Sequence, residues 1–520
     1  MRVGLFVSEA SGALRRTLDL TTLLEPFSAL ATAAILSDLT SADSVERVLR
    51  AVRQDGLEGI VLAGESPAYF RYERHADHLL AELRELGLNP AQIAHANLLE
   101  QVALVHDRGE PANAKARALI EVAVNQVRGT KPIGHVDVTP RRSVVVFGAT
   151  SEAILSAAQL LRQGYKVYLW TRNASPVGVA FPDVAAAAGY VERHERARVV
   201  AGPVTDFYGR TGDFQIGLPS GRRTRVGGVV AAVGDDEQFV AELHQQLRID
   251  RDERGLFAPT RADVSPVATR TSGIVVIAHE TGRDLVATRL HVDAALLELE
   301  TLLDRPEFRH DLRVASVLDD VCGGCGTCIK TCIFDAAKID AARRRSWTDT
   351  DRCVGCGNCV TACPTGARDQ VSNPSTHLFE SAEILASAHP TESLRVLYIG
   401  CGCCGTPSLD DAGRCGLGYP PTVMPLAVSC GGRVDTQLVL TAFHAGFAGV
   451  AVGVCHPDHC GYLVGGTDLG RRLDLFRVVL RSRGIDSERL RILYLNHHDG
   501  PRVAAELNEF VAFLAKRRAA

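Results

Sequence analysis

Short, uninterrupted apolar runs recur along this chain: "RVGLFV" at its start, "SVVVF" at 143–147, "KVYLW" at 166–170, "RVLYIG" at 395–400 and "GVAVGV" at 449–454. Runs of that kind suit strands buried on both faces, and the amphipathic stretches between them suit covering helices. Residues 143–172, "SVVVFGATSEAILSAAQLLRQGYKVYLWTR", read as strand, glycine turn, helix ending at Gly164, and a second strand. "HADHLLAELRELG" predicts a helix that stops at Gly87, just before Pro90. "FHAGFAGVAVGVC" reads as a buried helix-to-strand passage; it is too short to cross a bilayer and carries His444. The pattern predicts an α/β protein of several domains.

At 520 residues the chain exceeds one hydrophobic core, and a prior of roughly 150 residues per domain suggests about three or four domains. A formal net charge of -4 with no dense basic run argues against a nucleic-acid groove. The opening residues read as a strand, without the apolar core of a secretory leader. All fifteen cysteines lie between Cys322 and Cys460. An odd count crowded into Cys-x-x-Cys spacings suits metal-bound thiolates in a reducing cytoplasm better than a disulfide framework.

Two runs carry the sharpest signal. "CGGCGTCIKTC" from Cys322 and "CVGCGNCVTACP" from Cys353 each space four cysteines by two, two and three residues. In a two-cluster ferredoxin, three cysteines of one run clasp one cluster and the fourth crosses to the other. Cys322, Cys325, Cys328 and Cys363 are therefore expected to hold one [4Fe-4S] cluster, and Cys353, Cys356, Cys359 and Cys332 the second. Zinc ribbons use two Cys-x-x-Cys pairs rather than this doubled run. The interleaved Gly323, Gly324, Gly326, Gly355 and Gly357 allow tight turns whose N–H groups can face cluster sulfur. Ile333 stands where Pro364 follows the crossing cysteine of the second run, a change that leaves ligation intact.

Beyond residue 390, Cys401, Cys404, Cys430, Cys455 and Cys460 fall where strands end, the positions at which a βα scaffold presents ligands. Spacing alone leaves a [2Fe-2S] cluster and zinc both open. The combination of Cys-x-x-Cys, "YPP", "SCGGRVD" and "GVCHPDHC" resembles the delta subunit of the methyl-viologen-reducing hydrogenase family over about 130 residues. That resemblance implies a [2Fe-2S] cluster and electron passage between a donor enzyme and a heterodisulfide-reductase-type core. Five matching cysteines exceed the four such a cluster needs, so one is spare or gates it. Cys403 and Cys415 have no counterpart and read as bystanders. Arg433 and Asp435 can pair to fix the loop after Cys430, or form a plain surface ion pair. His456, His459, His497 and His498 are candidate proton or cluster partners, or simply solvated.

The 143–172 unit is Rossmann-like, but only Gly148 and Ala153 fit a dinucleotide fingerprint. Thr150 replaces the glycine that admits pyrophosphate, and Thr171 stands where a ribose-binding acid belongs. "GGVVAAVGDDEQF" and "ATRTSGIVVIAHETGRDLVATRLHVDAALLELETLL" resemble the returning part of the flavin domain in the A subunit of heterodisulfide reductase. His279 takes a glycine's place there, and the chain between Gly148 and Gly273 is too short for the usual nicotinamide domain. "GIVLAGESPAYF", "LNPAQIAHANLLEQVALVH" and "ARALIEVAVNQV" resemble the first domain of the same protein family, with Ser8, Ala10, Leu36, Glu65 and Val102 where the family has cysteines. The resemblance implies a degenerate, doubtful FAD site and an N-terminal domain left to scaffold and dock.

The expected architecture is multidomain α/β: an N-terminal α/β docking domain at 1–135, a reduced Rossmann-like flavin domain at 136–312, a two-cluster ferredoxin domain at 313–376, and a small delta-like [2Fe-2S] domain at 377–520. The expected role is an iron–sulfur electron-transfer subunit of a cytoplasmic heterodisulfide reductase-like, hydrogenase-like or dehydrogenase-like complex, with no catalytic acid, base or nucleophile in evidence. An FAD-bearing electron-bifurcating hub is one alternative, and an iron–sulfur sensor or scaffold is another.

Overall fold

The computed structural model describes residues 1–67, 76–172, 181–260, 262, 265–279, 284–390 and 392–519. The end of "GIVLAGESPAYF" (68–70), the first residue of the predicted helix (75) and the segment 280–283 lie outside the described residues. The chain forms two compact units, Met1–Gly134 with Arg313–Ala520, and His135–Leu312.

In the first unit, one parallel sheet has the spatial order Thr32–Leu36, Val3–Ser8, Gly59–Gly64, Ile93–Asn97. A second has the order Val423–Val428, Val396–Cys401, Gly449–Cys455, Leu490–Leu495, also parallel throughout. Every residue of the central strands Val3–Ser8, Gly59–Gly64, Val396–Cys401 and Gly449–Cys455 is buried. This is why their apolar runs do not alternate: helices cover both faces. The helices Glu110–Gly129 and Ser375–Ser387 pack together, and one core continues from Leu5 and Val7 through Leu119 and Leu378 to Leu397 and Ile399. The N-terminal region thus has much of its contact surface turned inward, onto the C-terminal region of its own chain.

A buried polar cluster closes that junction. Asp410, on the helix Gly405–Arg414, accepts hydrogen bonds from Ser66 Oγ (2.6 Å), Asn97 Nδ2 (3.0 Å) and Gln101 Nε2 (2.8 Å). Burial pushes the Asp410 carboxyl up to about 6; burial, then the charge of Asp410, pushes Glu100 up to about 7. Lys115 is fully buried, 3.0 Å from His106 Nε2 and 4.5 Å above the Tyr419 ring.

In the second unit a parallel sheet has the order Ile274–Val276, Gly228–Ala231, Ser143–Phe147, Lys166–Thr171, Ala197–Ala201. Numbered along the chain this is 5-4-1-2-3, the doubly wound order of a dinucleotide-binding domain. The helix Ser151–Arg162 links the first two strands, as the 143–172 pattern predicts. A three-stranded antiparallel sheet, Arg223–Val226, Asp213–Gly217 and Phe207–Arg210, completes the unit with the pair His135–Val138 and Phe308–Asp311. No helix among the described residues is long and apolar enough to cross a membrane.

Candidate iron-sulfur sites

The ferredoxin-like segment is two copies of one motif. The short helices Thr327–Thr331 and Asn358–Thr361 are each entered through a left-handed glycine, Gly326 at φ +77° and Gly357 at φ +82°. Two antiparallel pairs frame them, Ala315–Val317 with Arg368–Gln370 and Ala337–Asp340 with Arg345–Thr348. Cys322, Cys325, Cys328 and Cys363 line one cavity of about 370 Å³ of empty space. Cys332, Cys353, Cys356 and Cys359 line another of about 420 Å³. Each cavity therefore gathers three thiols of one run and the last thiol of the other. Ile333 stands at the wall of the second cavity and Pro364 at the wall of the first.

The walls favour sulfur that carries negative charge. Ser346 N–H donates to Cys322 Sγ and Ala336 N–H to Cys332 Sγ, both at 3.4 Å. Arg368 borders both cavities: its Nη1 lies 3.8 Å from Cys359 Sγ, and Ser346 Oγ, to which its Nη2 donates, is 3.3 Å from Cys328 Sγ. Burial works against the guanidinium charge, yet the thiols of Cys359 and Cys328 hold it above its ordinary range. Burial, with the neighbouring thiols of Cys359, Cys353 and Cys332, pushes the Cys356 thiol up to about 12, so a bound cation is what would make it a thiolate. Arg368 belongs to none of the motifs legible in the sequence; its only mark there is a cation five residues after the crossing Cys363.

In the second parallel sheet of the same unit, Cys401 and Cys455 end neighbouring central and inner strands, Cys430 follows the strand beside them, and Cys460 closes the turn after Cys455. Cys401, Cys404, Cys430, Cys455 and Cys460 are all buried. The Cys401 and Cys455 sulfurs are 3.6 Å apart; Cys455 also meets Cys404 and Cys460, and Cys460 meets Cys430. The structure thus brings all five predicted thiols together. Cys403, half-buried, touches Cys455 as well, whereas Cys415 sits exposed at the end of the helix Gly405–Arg414. Among the described residues no three His, Cys, Asp or Glu side chains close to the spacing of a single bound ion.

Backbone amides again face sulfur: Cys404 N–H and Gly405 N–H donate to Cys401 Sγ, and Gly432 N–H to Cys430 Sγ, each at 3.4 Å. The Cys455 contact and these amides lower the Cys401 thiol to about 6 against its burial. The helix Gly465–Ser482 begins against the thiols, and a Cβ at Gly465 would collide with Cys430 Sγ. That glycine is a site residue that sequence reasoning missed; the only signal was a Gly-Gly pair opening a helix.

The two sites share a wall. The loop after Cys430 packs on the second ferredoxin-like helix: Thr361 Oγ1 donates to Gly432 O (3.0 Å), and Arg472 reaches both Thr361 Oγ1 (2.9 Å) and Gly432 O (3.2 Å). A Cβ at Gly432 would run into Asn358, and one at Gly357 into Arg433. Cys356 packs against the core that holds Cys430, and the two thiols act on each other electrostatically. Arg433 is hydrogen-bonded to Asp369, Asn373 and Ser375 rather than to Asp435, whose charge reaches it without a hydrogen bond. Fully buried, its Nη2 donates to Ser375 Oγ (2.8 Å), Asn373 O (3.1 Å) and Asp369 Oδ1 (3.3 Å), while Asp435 caps the next helix by accepting from Gln437 N–H (2.9 Å). His456 and His459 lie with ring centres 6.2 Å apart, and His497 and His498 4.1 Å apart.

The turn after Ser143–Phe147 is tightly packed. Gly148, at φ +126°, abuts Ala232 O, where a Cβ would collide. Thr150 Oγ1 accepts from Ala153 N–H (3.2 Å) and donates to Ala232 O (2.9 Å), so the helix start is capped by its own side chain. Ala153 is buried, and both Thr150 and His279 approach the place a side chain at Gly234 would occupy. At the N-terminal positions without cysteine, Ser8 Oγ donates to Glu65 Oε1 (2.9 Å) and Ala10 N–H to Ser8 Oγ (2.9 Å), while Leu36 and Val102 join the core.

The family described as methyl-viologen-reducing hydrogenase, delta subunit, matches residues 396–516, and a 4Fe-4S binding domain matches residues 347–369. The chain is 30% identical over 290 residues to the A subunit of the ferredoxin/F420H2-dependent CoB-CoM heterodisulfide reductase of Methanosarcina acetivorans, covering 54% of this chain and 36% of that one. It is 35% identical over 121 residues to the iron-sulfur D subunit of the F420-non-reducing hydrogenase of Archaeoglobus profundus, covering 23% of this chain and 88% of that one. The chain spans about a third of the length of the heterodisulfide reductase relatives it matches.

Proposed function

We propose that this chain, which belongs to the heterodisulfide reductase A-type proteins with a fused methyl-viologen-reducing hydrogenase delta-type domain, relays electrons between a donor enzyme and a reductase core through three iron–sulfur clusters. Two [4Fe-4S] clusters are assigned to Cys322, Cys325, Cys328 and Cys363, and to Cys332, Cys353, Cys356 and Cys359. A [2Fe-2S] cluster is assigned to four of Cys401, Cys404, Cys430, Cys455 and Cys460. The observation that carries this reading is the shared wall at Gly432, Asn358 and Thr361, which leaves no solvent layer between the loop of Cys430 and the helix that follows Cys356.

When bound, such clusters supply reversible one-electron storage. The chain's own residues do the rest. The amides of Ser346, Ala336, Cys404, Gly405 and Gly432 stabilise negative charge on sulfur, and Arg368 offsets it between the two [4Fe-4S] positions. The second unit is proposed to hold no FAD, because Thr150 caps the helix start with its own hydroxyl, Thr171 stands where a ribose-binding acid belongs, and His279 takes a glycine's place. Partners of the kinds named for the relatives, a heterodisulfide reductase core on one side and a hydrogenase or other dehydrogenase on the other, fit the two ends of the relay. The cysteine spacings suit metal-bound thiolates in a reducing compartment, and the cytoplasm is proposed.

The test is the cofactor content of anaerobically purified protein. About ten iron atoms and as many acid-labile sulfides per chain, with no flavin, are expected. About fourteen iron atoms would reveal a fourth cluster, and close to one FAD per chain would favour the bifurcating reading.

A further inference from the structure

Where the ferredoxin-like segment meets the helix Gly465–Ser482, a groove of about 1280 Å³ of empty space, its open mouth included, lies within the first unit. Among its polar lining it exposes large aliphatic side chains to water: Ile333 is 50% exposed, Leu475 73% and Val479 51%. Large aliphatic side chains clustered on one exposed face mark an interaction site. The rim is cationic. Lys330 and Arg471 are exposed at the groove. Of the two acids of the helix, Asp468 also lines the groove, where it accepts from Asn358 Nδ2 (3.1 Å) and offsets part of the charge of Arg471 and Arg472, and Asp474 bridges to Arg477 (2.8 Å).

Thr331, Ile333 and Asn358 line this groove and also the cavity of Cys332, Cys353, Cys356 and Cys359. Whatever fills the groove stands one side chain away from that site. A second copy in a two-fold contact would set Arg471 and Lys330 against their own equivalents, which like-charge repulsion disfavours. We propose that the groove docks a small acidic redox protein, whose apolar centre covers Ile333, Leu475 and Val479 while its carboxylates face Lys330 and Arg471. The proposal rests on the relay reading above and adds the place and chemistry of one partner.

The probe is an acidic two-cluster ferredoxin titrated into the full-length, cluster-loaded protein, with basic cytochrome c as the opposite-charge control. The ferredoxin is expected to bind about ten-fold more weakly at roughly 0.2 M salt than at low salt, and cytochrome c not to bind. Arg471→Glu and Leu475→Asp should each weaken ferredoxin binding about ten-fold or more, with iron content and thermal midpoint unchanged. Both side chains are exposed, so neither change disturbs the core. A loaded protein that does not bind ferredoxin, or binds it equally after both substitutions, overturns the docking face and leaves the relay standing. Self-association relieved by Leu475→Asp in sedimentation would assign the face to a second copy and overturn it too. Iron near zero would overturn the relay reading and this one together.

Discussion

Two turns in this chain are built alike and serve opposite ends. Each follows a buried parallel strand, Ser143–Phe147 in one unit and Val396–Cys401 in the other, and each opens a helix. Each also carries a glycine forced by a neighbouring strand: a Cβ at Gly148 would collide with Ala232 O, and one at Gly405 with Gly453 O. At the first turn the amide of Ala153 is taken by Thr150 Oγ1, so the helix start is satisfied internally. At the second, the amides of Cys404 and Gly405 point at Cys401 Sγ, a thiol lowered by its contact with Cys455 and by these amides. One amide at the first turn and two at the second face a side-chain acceptor, a hydroxyl in one case and in the other a thiol that we propose as a cluster ligand.

The largest expected break in that comparison is at the thiols themselves. Cys328→Ala and Cys359→Ala should each remove one [4Fe-4S] signal and about four iron atoms per chain, read by electron paramagnetic resonance and iron analysis. The paired glycine substitutions come next. Gly405→Ala and Gly148→Ala should each cost about 3 kcal/mol in unfolding experiments, because a methyl group is driven into a carbonyl oxygen. Only Gly405→Ala should also lower iron content, since only its turn faces a proposed cluster site; equal iron loss in both would dissolve the distinction.

A smaller effect is expected at the carboxylates that join the two α/β regions of the first unit. Asp410 and Glu100 keep their protons in the folded state up to about 6 and about 7, whereas the unfolded chain releases them near the ordinary carboxyl range. The folded state therefore binds more protons between about pH 4 and pH 7, and stability falls as pH rises through that window. Asp410→Asn should flatten this part of the pH profile and raise the melting temperature at pH 8 by roughly 2 °C or more. An unchanged slope would mean that other groups carry it.

Smaller still, Thr150→Gly should cost only about 0.3 kcal/mol, the usual loss when glycine replaces a threonine cap. It should not by itself confer FAD binding, because His279 remains at the turn; flavin retained after gel filtration of this variant would show that Thr150 alone closes the site. Cys415→Ala should leave every cluster signal and the melting temperature unchanged.

The alternation of buried runs and amphipathic stretches determined by itself that the chain is α/β, and the doubled 2-2-3 spacing determined which cysteines could cross between two clusters. Both are read from short stretches: strand burial shows in consecutive residues, and three of the four thiols at each cavity lie within one seven-residue run, the fourth coming from the other run. The distribution of the remaining residues was a tertiary matter. Nothing in "SCGGRVD" says that Arg433 reaches Asp369 and Ser375, because these partners lie about 60 positions away and the pairing arises from packing. Arg368 between the cavities and Gly465 beneath Cys430 likewise act on groups brought near by folding alone. The N-terminal region read as a separate docking domain, yet its core is continuous with the one behind the Cys401 site. A hydrophobic face announces that it must be covered, but the pattern along the chain does not say by what.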